Sequence, residues 1–389
     1  MMKCAITLSR CSASLLLAGL SLCCVRERSP GLGFTTGQYP IEIERADLRV
    51  RAEDRKLSGT NAECAPCHKK VYDNWRNSRH RVAFTNELYH ESHAREPSAW
   101  CVNCHAPLAE PGSHPLDLKK RIQAEDGVSC NVCHVRAGKV IAAKKPKPAR
   151  QTAAHDYTIE PQMAGAAFCE SCHEFNFPSA DAKPEAGKNF RYSALPMQAT
   201  HSEWKSSGFQ NSPCQNCHLY ADSPQSHRFP GGHDRQMLRQ SLKVEAERYE
   251  DGKLRIRIFS LGVGHAFPTG DLFRTLRLFL HDEKSHSHEL HLGKRFDNQP
   301  VPPDAMHLPN KALREDTTIP APVSGEFLSV REFLIDWPAS SRQVRYALRL
   351  DYLHPHNALV SRLPATITGT DISQGVVSIS RGKKSHIKG

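Results

Sequence analysis

Beyond its first thirty or so residues the sequence contains no long apolar run, and beyond Cys217 it contains no cysteine. A membrane-spanning helix needs about 20 consecutive apolar residues, so the body of the chain is not expected to cross a membrane. A region without cysteine can hold neither disulfides nor thiolate-bound metals. Because 389 residues suffice for two domains with separate cores, we expect the cysteine-containing and cysteine-free regions to differ in architecture.

The first residues are typical of an export signal. Two basic residues precede an apolar run from Ser14 to Leu22 that is too short for a permanent membrane helix. The run ends at Cys23, as in bacterial lipoprotein signals, where this cysteine would be acylated and anchor the protein to a membrane. Because Leu22 replaces the usual small residue, ordinary cleavage is an equal alternative. We predict a signal peptide over residues 1–24, a linker over 25–56, and export to the periplasm or, as an outer-membrane lipoprotein, to the cell surface of a bacterium.

Every cysteine outside the export segment belongs to a pair spaced Cys-x-x-Cys, and a histidine follows each pair directly. Two thiols at this spacing can reach the two vinyl groups of one porphyrin while the adjacent imidazole binds its iron. We therefore predict five covalently bound haem c groups with their iron. The predicted attachment residues are Cys64, Cys67, Cys101, Cys104, Cys130, Cys133, Cys169, Cys172, Cys214 and Cys217, and the predicted proximal iron ligands are His68, His105, His134, His173 and His218.

Zinc sites, thioredoxin-like redox pairs and structural disulfides also use Cys-x-x-Cys. None of these sites requires a histidine directly after the second cysteine. Histidine accounts for 22 of the 389 residues, so five such coincidences have a probability of roughly one in a million. The pattern therefore favours haem attachment.

The formal net charge of +11 would suit a nucleic-acid partner. Five haems would bring propionates that lower this charge by about 5 to 10. We interpret much of the basic excess as compensation for the cofactors and expect no nucleic-acid partner.

Of the 22 histidines, five belong to the motifs and 17 remain. A solvated or hydrogen-bonded surface role is the default for any one of them. The segments that begin at His227 and His265 share the pattern His-x-Phe-Pro-x-Gly, in which phenylalanine can pack on a porphyrin and glycine allows close approach. Two unrelated Pro-Gly turns are the alternative. The candidate distal iron ligands are His80, His155, His227, His233 and His265.

The other candidates rest on their positions. His80 closes a helix-compatible stretch after the first motif, and His233 follows two glycines. His155 lies between a basic, proline-rich loop and the fourth motif. His201 is a weaker candidate, because it lies in a segment before the fifth motif that partly repeats the stretch before His80. The histidines within residues 281–291 lie in a charged, hairpin-like segment and are predicted to face solvent.

Residues 57–238 hold all five motifs, one for roughly every 35 residues. So little polypeptide per cofactor cannot bury a conventional core, and we expect closely packed haems to form the core of a mostly irregular and α-helical multihaem cytochrome domain.

In residues 239–389 the apolar residues recur with a period of two, which differs from the pattern of the preceding region. An Asp251-Gly252 pair predicts a hairpin between alternating segments. These features predict an all-β sandwich of immunoglobulin-like architecture with a docking or stabilising role. The alternating residues are Leu242, Val244 and Ala246; Leu254, Ile256 and Ile258; Leu276, Leu278 and Leu280; and Val344, Tyr346, Leu348, Leu350 and Tyr352.

Four segments around the motifs carry a resemblance to a known family. They are Tyr72, Trp75, Ser78 and His80 after the first motif, the segments Trp100–Pro107 and Gly127–Cys130, and the Gly264–Gly270 loop. With these segments, residues 57–275 resemble multihaem c-type cytochromes related to the tetrahaem cytochrome c of nitrifying bacteria. The resemblance implies bis-histidine ligation and electron transfer, in some relatives within envelope-spanning chains or extracellular cytochrome assemblies, and it identifies no substrate.

Electron transfer without catalytic residues is the function that the sequence favours. The partners would be other cytochromes or quinol-linked membrane donors and a periplasmic or extracellular acceptor. One alternative is a multihaem oxidoreductase of small nitrogen or sulfur compounds with one open-site haem, signalled by an iron that lacks a distal histidine and faces Arg, Tyr or His. Another alternative is a subunit of a polymerised extracellular cytochrome wire, for which an oligomer or filament is expected.

Overall fold

The computed structural model describes residues 48–50, 55–57, 61–95, 99–107, 124–136, 139–145, 155–178, 192–219, 226–250, 252–298, 300 and 311–381. The predicted signal peptide with Cys23 and most of the predicted linker lie outside these residues. Within the described ranges, no helix is both long and apolar enough to cross a membrane.

The helices are short, and most lie before residue 242. Two 3₁₀ helices, Ala124–Asp126 and Pro161–Ala164, accompany them. The α-helices are α1 (Asn61–Cys64), α2 (Lys69–Trp75), α3 (Glu87–Arg95), α4 (Ala99–His105), α5 (Cys130–His134), α6 (Ala167–His173), α7 (Thr200–Lys205), α8 (Cys214–His218), α9 (Arg235–Ser241), α10 (Pro355–Ser361) and α11 (Ala365–Thr368).

Most of the motifs are themselves helical turns. Helices α5 and α8 span their motifs from first cysteine to histidine, and α4 and α6 end on the motif histidine. In a helix, residues three and four positions apart share a face, so one turn presents both thiols and the imidazole together. The motif region has its own small apolar cluster of Phe84, Tyr89, Val102 and Ala106.

The strands fall into several small sheets and two larger ones. The strands are β1 (Leu48–Val50), β2 (Arg55–Leu57), β3 (Val135–Arg136), β4 (Lys139–Ala142), β5 (Tyr157–Ile159), β6 (Glu174–Pro178), β7 (Tyr192–Ala199), β8 (Leu242–Glu250), β9 (Lys253–Leu261), β10 (Thr275–His281), β11 (Ser287–Leu292), β12 (Lys294–Asn298), β13 (Lys311–Asp316), β14 (Leu328–Asp336), β15 (Gln343–Asp351), β16 (Gly369–Ser378) and β17 (Ser380–Arg381).

Two four-stranded sheets dominate the second half, in the orders β11-β10-β15-β16 and β14-β9-β8-β17. Neighbouring strands are antiparallel, except that β17 pairs with β8 in parallel. Smaller sheets join β1 to β2, β3 to β4 and β5, β6 to β7, and β12 to β13. The antiparallel β architecture of this half is as predicted, and its immunoglobulin-like arrangement stays a prediction.

The alternating residues pack inward as predicted. Leu254, Ile256 and Ile258 of β9 and their counterparts in β8 and β10 belong to one core cluster. Val344, Leu348 and Leu350 of β15 belong to it as well, and the partly buried Tyr346 packs against it. Strands β8 and β9 pair antiparallel, as the predicted hairpin requires. Asp251 lies outside the described residues, and Gly252 has a φ of 78°, which glycine adopts without strain.

The loop between β9 and β10 carries His265 out of this core. Phe267 is buried and forms an isolated bridge with the fully buried Ile319. Their backbone N–H groups donate to each other's carbonyl oxygens, at 2.8 and 2.7 Å. The loop is therefore held to the β core two residues after His265, which fixes where this imidazole is presented.

Candidate functional site

Four of the five motif histidines face a second imidazole from elsewhere in the chain. The ring centres are 6.2 or 6.3 Å apart in every pair. Four of the five candidate distal ligands thus lie opposite a motif histidine. The pairs are His68 with His155, His134 with His227, His173 with His80, and His218 with His265.

This spacing fits an iron ion between the two rings. A histidine nitrogen lies about 2 Å from the metal that it binds, and the ring centre lies roughly 1 Å further away. Two imidazoles on opposite sides of one ion therefore have centres about 6 Å apart. The planes are inclined by 14° in one pair and by 51° in another, yet the separation is conserved to 0.1 Å. The residues present therefore fit the predicted cofactor.

Backbone carbonyl groups orient several of these rings. A carbonyl oxygen only accepts hydrogen bonds, so Nδ1 carries the proton and Nε2 keeps the lone pair that a metal requires. Five histidines have this arrangement. Nδ1 donates from His105 to Ala83 O (2.7 Å), from His134 to Ile141 O (3.1 Å), from His155 to Asp156 O (3.1 Å), from His218 to Pro230 O (2.6 Å) and from His265 to Ala266 O (2.9 Å).

Burial keeps the most enclosed imidazoles neutral. Burial, and then the neighbouring His218 and His227, lower the pKa of His80 to about 4. Burial, and then His80, lower the pKa of His173 to about 3. A neutral imidazole is the form that binds a metal ion.

His105 differs from the other motif histidines. In the part of the chain that the structure describes, no second imidazole lies opposite its ring. Tyr89 stacks on it instead, with ring centres 4.4 Å apart and planes inclined by 26°. The second motif therefore has its proximal histidine in place without a described distal partner.

The remaining candidate ligands lie elsewhere. His233 stacks on Tyr352, with ring centres 3.8 Å apart, and faces no motif histidine among the described residues. His201 packs on Trp204 at 5.3 Å and lies 3.4 Å from the Glu170 carboxylate.

The thiols reveal the order of the motifs in space. The first motif adjoins the third, the second adjoins the fourth, and the fourth adjoins the fifth. Arg136 connects the third to the fourth, because its charge acts on both Cys133 and Cys172. The order is thus first, third, fourth and fifth, with the second beside the fourth. The thiol pairs that lie close enough to shift each other's pKa are Cys64 with Cys130, Cys104 with Cys172, and Cys169 with Cys214.

Several buried polar groups near the motifs have no hydrogen-bond partner among the described residues, and they include Asn103 Nδ2, Ser129 Oγ and Ser226 Oγ. Buried polar groups in proteins are nearly always paired. Asn103 lies within the second motif, Ser129 precedes the third, and Ser226 precedes His227. The polar edges of a bound cofactor, its propionates above all, would supply such partners, which again fits haem.

Sequence patterns did not point to several polar groups of the site. The charge of Arg274 acts on His173, His233 and His265. The charge of Arg79 acts on His105 and His233. Only their positions in the sequence could have identified these two arginines: Arg79 directly precedes His80, and Arg274 follows the His265 loop.

Comparison with known proteins gives one matching family model and a similar solved structure. Residues 63–135, which contain the first three motifs, match the family model "Cytochrome c554 and c-prime". No curated protein matches the chain significantly. The chain is similar in fold to a penta-heme cytochrome c552 from Thermochromatium tepidum, with a TM-score of 0.60 and 20% identity over 82% of this chain and 98% of that chain. The first three motifs therefore match a cytochrome family model, and the fold of the chain is similar to that of a multihaem cytochrome.

Proposed function

We propose that the protein is an exported electron carrier with five haem c groups, each attached at one of the five motifs. The observation that carries this proposal is the set of four imidazole pairs whose ring centres lie 6.2 to 6.3 Å apart. When bound, haem c supplies an iron that accepts and releases one electron. We also propose that the protein is related to the tetrahaem cytochrome c of nitrifying bacteria.

Each chain segment has a defined part in this proposal. The ten motif cysteines attach the cofactors, and the motif histidines are the proximal ligands. Carbonyl groups orient His134, His155, His218 and His265. Burial lowers the pKa of His80 and of His173, so no proton has to leave these two imidazoles when the metal binds. The distal ligands proposed for four irons are His155, His227, His80 and His265, for the first, third, fourth and fifth motifs.

The two ends of the motif order are the places where redox partners would approach. Cys67 of the first motif and Cys217 of the fifth are exposed, whereas the other motif cysteines are half-buried. We infer that a donor, such as a cytochrome or a quinol-linked membrane protein, contacts one end and the acceptor contacts the other. A subunit of a cytochrome wire would use the same two ends for contacts between copies.

Export to the periplasm, or anchoring at the cell surface through a lipidated Cys23, belongs to the same proposal. We infer that the second half is an immunoglobulin-like sandwich that stabilises the motif region. The support is that one of its loops presents His265 opposite His218.

Mass spectrometry of the mature exported protein tests the number of cofactors. We expect the mass of the chain plus five haems and no thiol that can be alkylated. Alkylation of any motif pair would contradict the proposal for that motif. A redox titration followed by optical and electron paramagnetic resonance (EPR) spectroscopy then reports ligation: five low-spin irons support the carrier, and four low-spin irons with one high-spin iron support the second candidate function described next.

His105 favours a second candidate function, a multihaem oxidoreductase of small nitrogen or sulfur compounds. Among the described residues no imidazole is opposite this histidine, and in this second proposal its iron keeps one coordination position for a ligand. Carbon monoxide added to the reduced protein should then bind to one haem in five. If carbon monoxide does not bind, the oxidoreductase function is excluded and the carrier function remains.

A further inference from the structure

The histidine of the fourth motif contacts a side-chain amide through its second ring nitrogen. The amide of Gln198 lies 3.2 Å from Nδ1 of His173 and 3.4 Å from Oγ1 of Thr200. A histidine that binds iron through Nε2 carries its hydrogen on Nδ1, and an amide accepts that hydrogen through its oxygen. Gln198 thus takes the place that a backbone carbonyl group has at His134 and His218.

A chain of polar side chains holds Gln198 from its other side. Oγ1 of Thr200 lies 3.0 Å from Oγ1 of Thr269. The hydroxyl of Thr269 donates to Oε2 of Glu203 at 2.6 Å, and Nζ of Lys294 donates to Oε1 of the same carboxylate at 2.9 Å. A continuous series of polar contacts therefore joins the fourth motif to an ion pair.

The carboxylate of this ion pair is fixed against the fourth motif. Glu174, which directly follows the motif, accepts hydrogen bonds from the backbone N–H groups of His201 and Ser202 and from Ser202 Oγ, at 3.0, 3.2 and 2.6 Å. These bonds hold the first turn of α7, the helix that carries Glu203. The side chain of Glu203 is 14% exposed and that of Lys294 is 23% exposed. Solvent therefore screens their charges less than those of surface residues.

The chain of contacts crosses between the two halves of the protein. Thr269 and Lys294 come from the second half, where Thr269 lies in the loop before β10 and Lys294 begins β12. The proposed ligands of the fourth iron, His80 and His173, both come from the first half. The β half is therefore connected to a haem site to which it gives no ligand.

We propose that Gln198, together with the ion pair of Glu203 and Lys294 behind it, sets the reduction potential of the fourth iron. The proposal rests on the proposed function, because it takes His173 as an iron ligand. An acceptor at Nδ1 makes an imidazole a stronger electron donor to the metal and so stabilises the oxidised iron. A nearby carboxylate also stabilises the oxidised form, whereas an ammonium group stabilises the reduced form. Gln198 is thus a positioning residue, and Lys294 offsets the charge of Glu203.

The fourth site lies next to the third, so its potential matters for transfer between them. The ring centre of Phe229 is 4.3 Å from that of His80 and 5.8 Å from that of His227. One phenylalanine ring therefore contacts the proposed distal ligands of both irons. A change in the potential of the fourth iron alters the driving force of this electron-transfer step.

A redox titration of the haem-loaded full chain, followed by EPR, tests the proposal. The signal of the fourth iron is the low-spin signal that His80→Ala removes. Gln198→Leu and Glu203→Gln should each raise its potential by about 59 mV, a tenfold change in the equilibrium constant for one electron. Lys294→Gln should lower this constant about threefold, because the carboxylate of Glu203 loses its partner. The low-spin signals of the other irons verify that each variant is folded.

Thr200→Val separates the chain of contacts from a simple effect of charge. It removes one hydroxyl from the middle of the chain and keeps Gln198, Glu203 and Lys294. In this background Glu203→Gln should shift the potential by less than half of its shift in the parent protein. Lys205→Gln is the matched control for Lys294→Gln, because it removes an exposed positive charge from α7. It should change the equilibrium constant less than about twofold.

Three results would overturn the proposal. The first is an unchanged potential of the fourth iron in Gln198→Leu. The second is a pair of shifts with the same sign in Glu203→Gln and Lys294→Gln, because opposite charges act in opposite directions. The third is an equal shift by Glu203→Gln with and without Thr200→Val. If His80→Ala removes no low-spin signal, the ligation proposed for the fourth motif is wrong as well, so the two failures are distinguishable.

Discussion

His218 and His265 stack almost in parallel, with ring centres 6.2 Å apart and planes inclined by 14°, although they belong to the two different halves of the chain. His218 is fixed by the last turn of α8 and by its hydrogen bond to Pro230 O. His265 is fixed by a loop that Phe267 and Ile319 hold to the β core. The fifth site is therefore completed only when both halves are folded.

Replacement of His265 by alanine should remove the sixth ligand from one iron in five. We expect about one fifth of the haem to become high-spin and to bind carbon monoxide when reduced, because an open coordination position is created. EPR and optical titration measure this change. His288→Ala, in β11 of the same half, is the control and should leave the spectrum unchanged. Unaltered low-spin signals in His265→Ala would contradict the proposed ligation.

His227 and His233 offer a direct comparison within one loop. His227 faces His134 at 6.2 Å, whereas His233 stacks on Tyr352. We expect His227→Ala to convert one low-spin iron to high-spin and His233→Ala to convert none. Counting the low-spin EPR signals in each variant checks the assignment. Loss of a low-spin iron in His233→Ala would instead make His233 a distal ligand.

The local features of this protein could be predicted from the sequence because they depend only on residues that are close together in the chain. The spacing of cysteine and histidine within a motif determines one helical turn, as in α5 and α8. Alternation of apolar residues determines which face of a strand is buried, as Leu254, Ile256 and Ile258 show. Both patterns need only the period of the backbone.

Long-range relationships could not be predicted because nothing local encodes them. His80 follows the first motif closely in the sequence, yet it faces His173 of the fourth. His155 precedes the fourth motif, yet it faces His68 of the first. His233 shares a loop with His227 and still has a different environment. These pairings depend on the path of the whole chain.

The β core should contribute to stability independently of the haem sites. Leu278 is fully buried in the centre of β10, so Leu278→Ala should lower the free energy of unfolding by about 2 to 5 kcal/mol. Denaturant unfolding followed by circular dichroism measures the loss. Val376→Ala, at a position that is 57% exposed, is the control and should change stability by less than about 0.5 kcal/mol. Equal effects of the two substitutions would contradict the assignment of this core.

Gly127 lies against the backbone of His80, the proposed distal ligand at the fourth motif. Its φ of 58° disfavours residues with a side chain, and an added Cβ would lie 2.5 Å from the carbonyl oxygen of His80. We expect Gly127→Ala to lose about 1 to 2 kcal/mol from the backbone conformation alone. The displaced backbone of His80 should also weaken its pairing with His173, so part of one iron should become high-spin in EPR. Gly231→Ala is the matched control, because an added Cβ there meets nothing within 4 Å. If Gly127→Ala melts like the parent protein and keeps its low-spin signals, this backbone contact does not determine the position of His80.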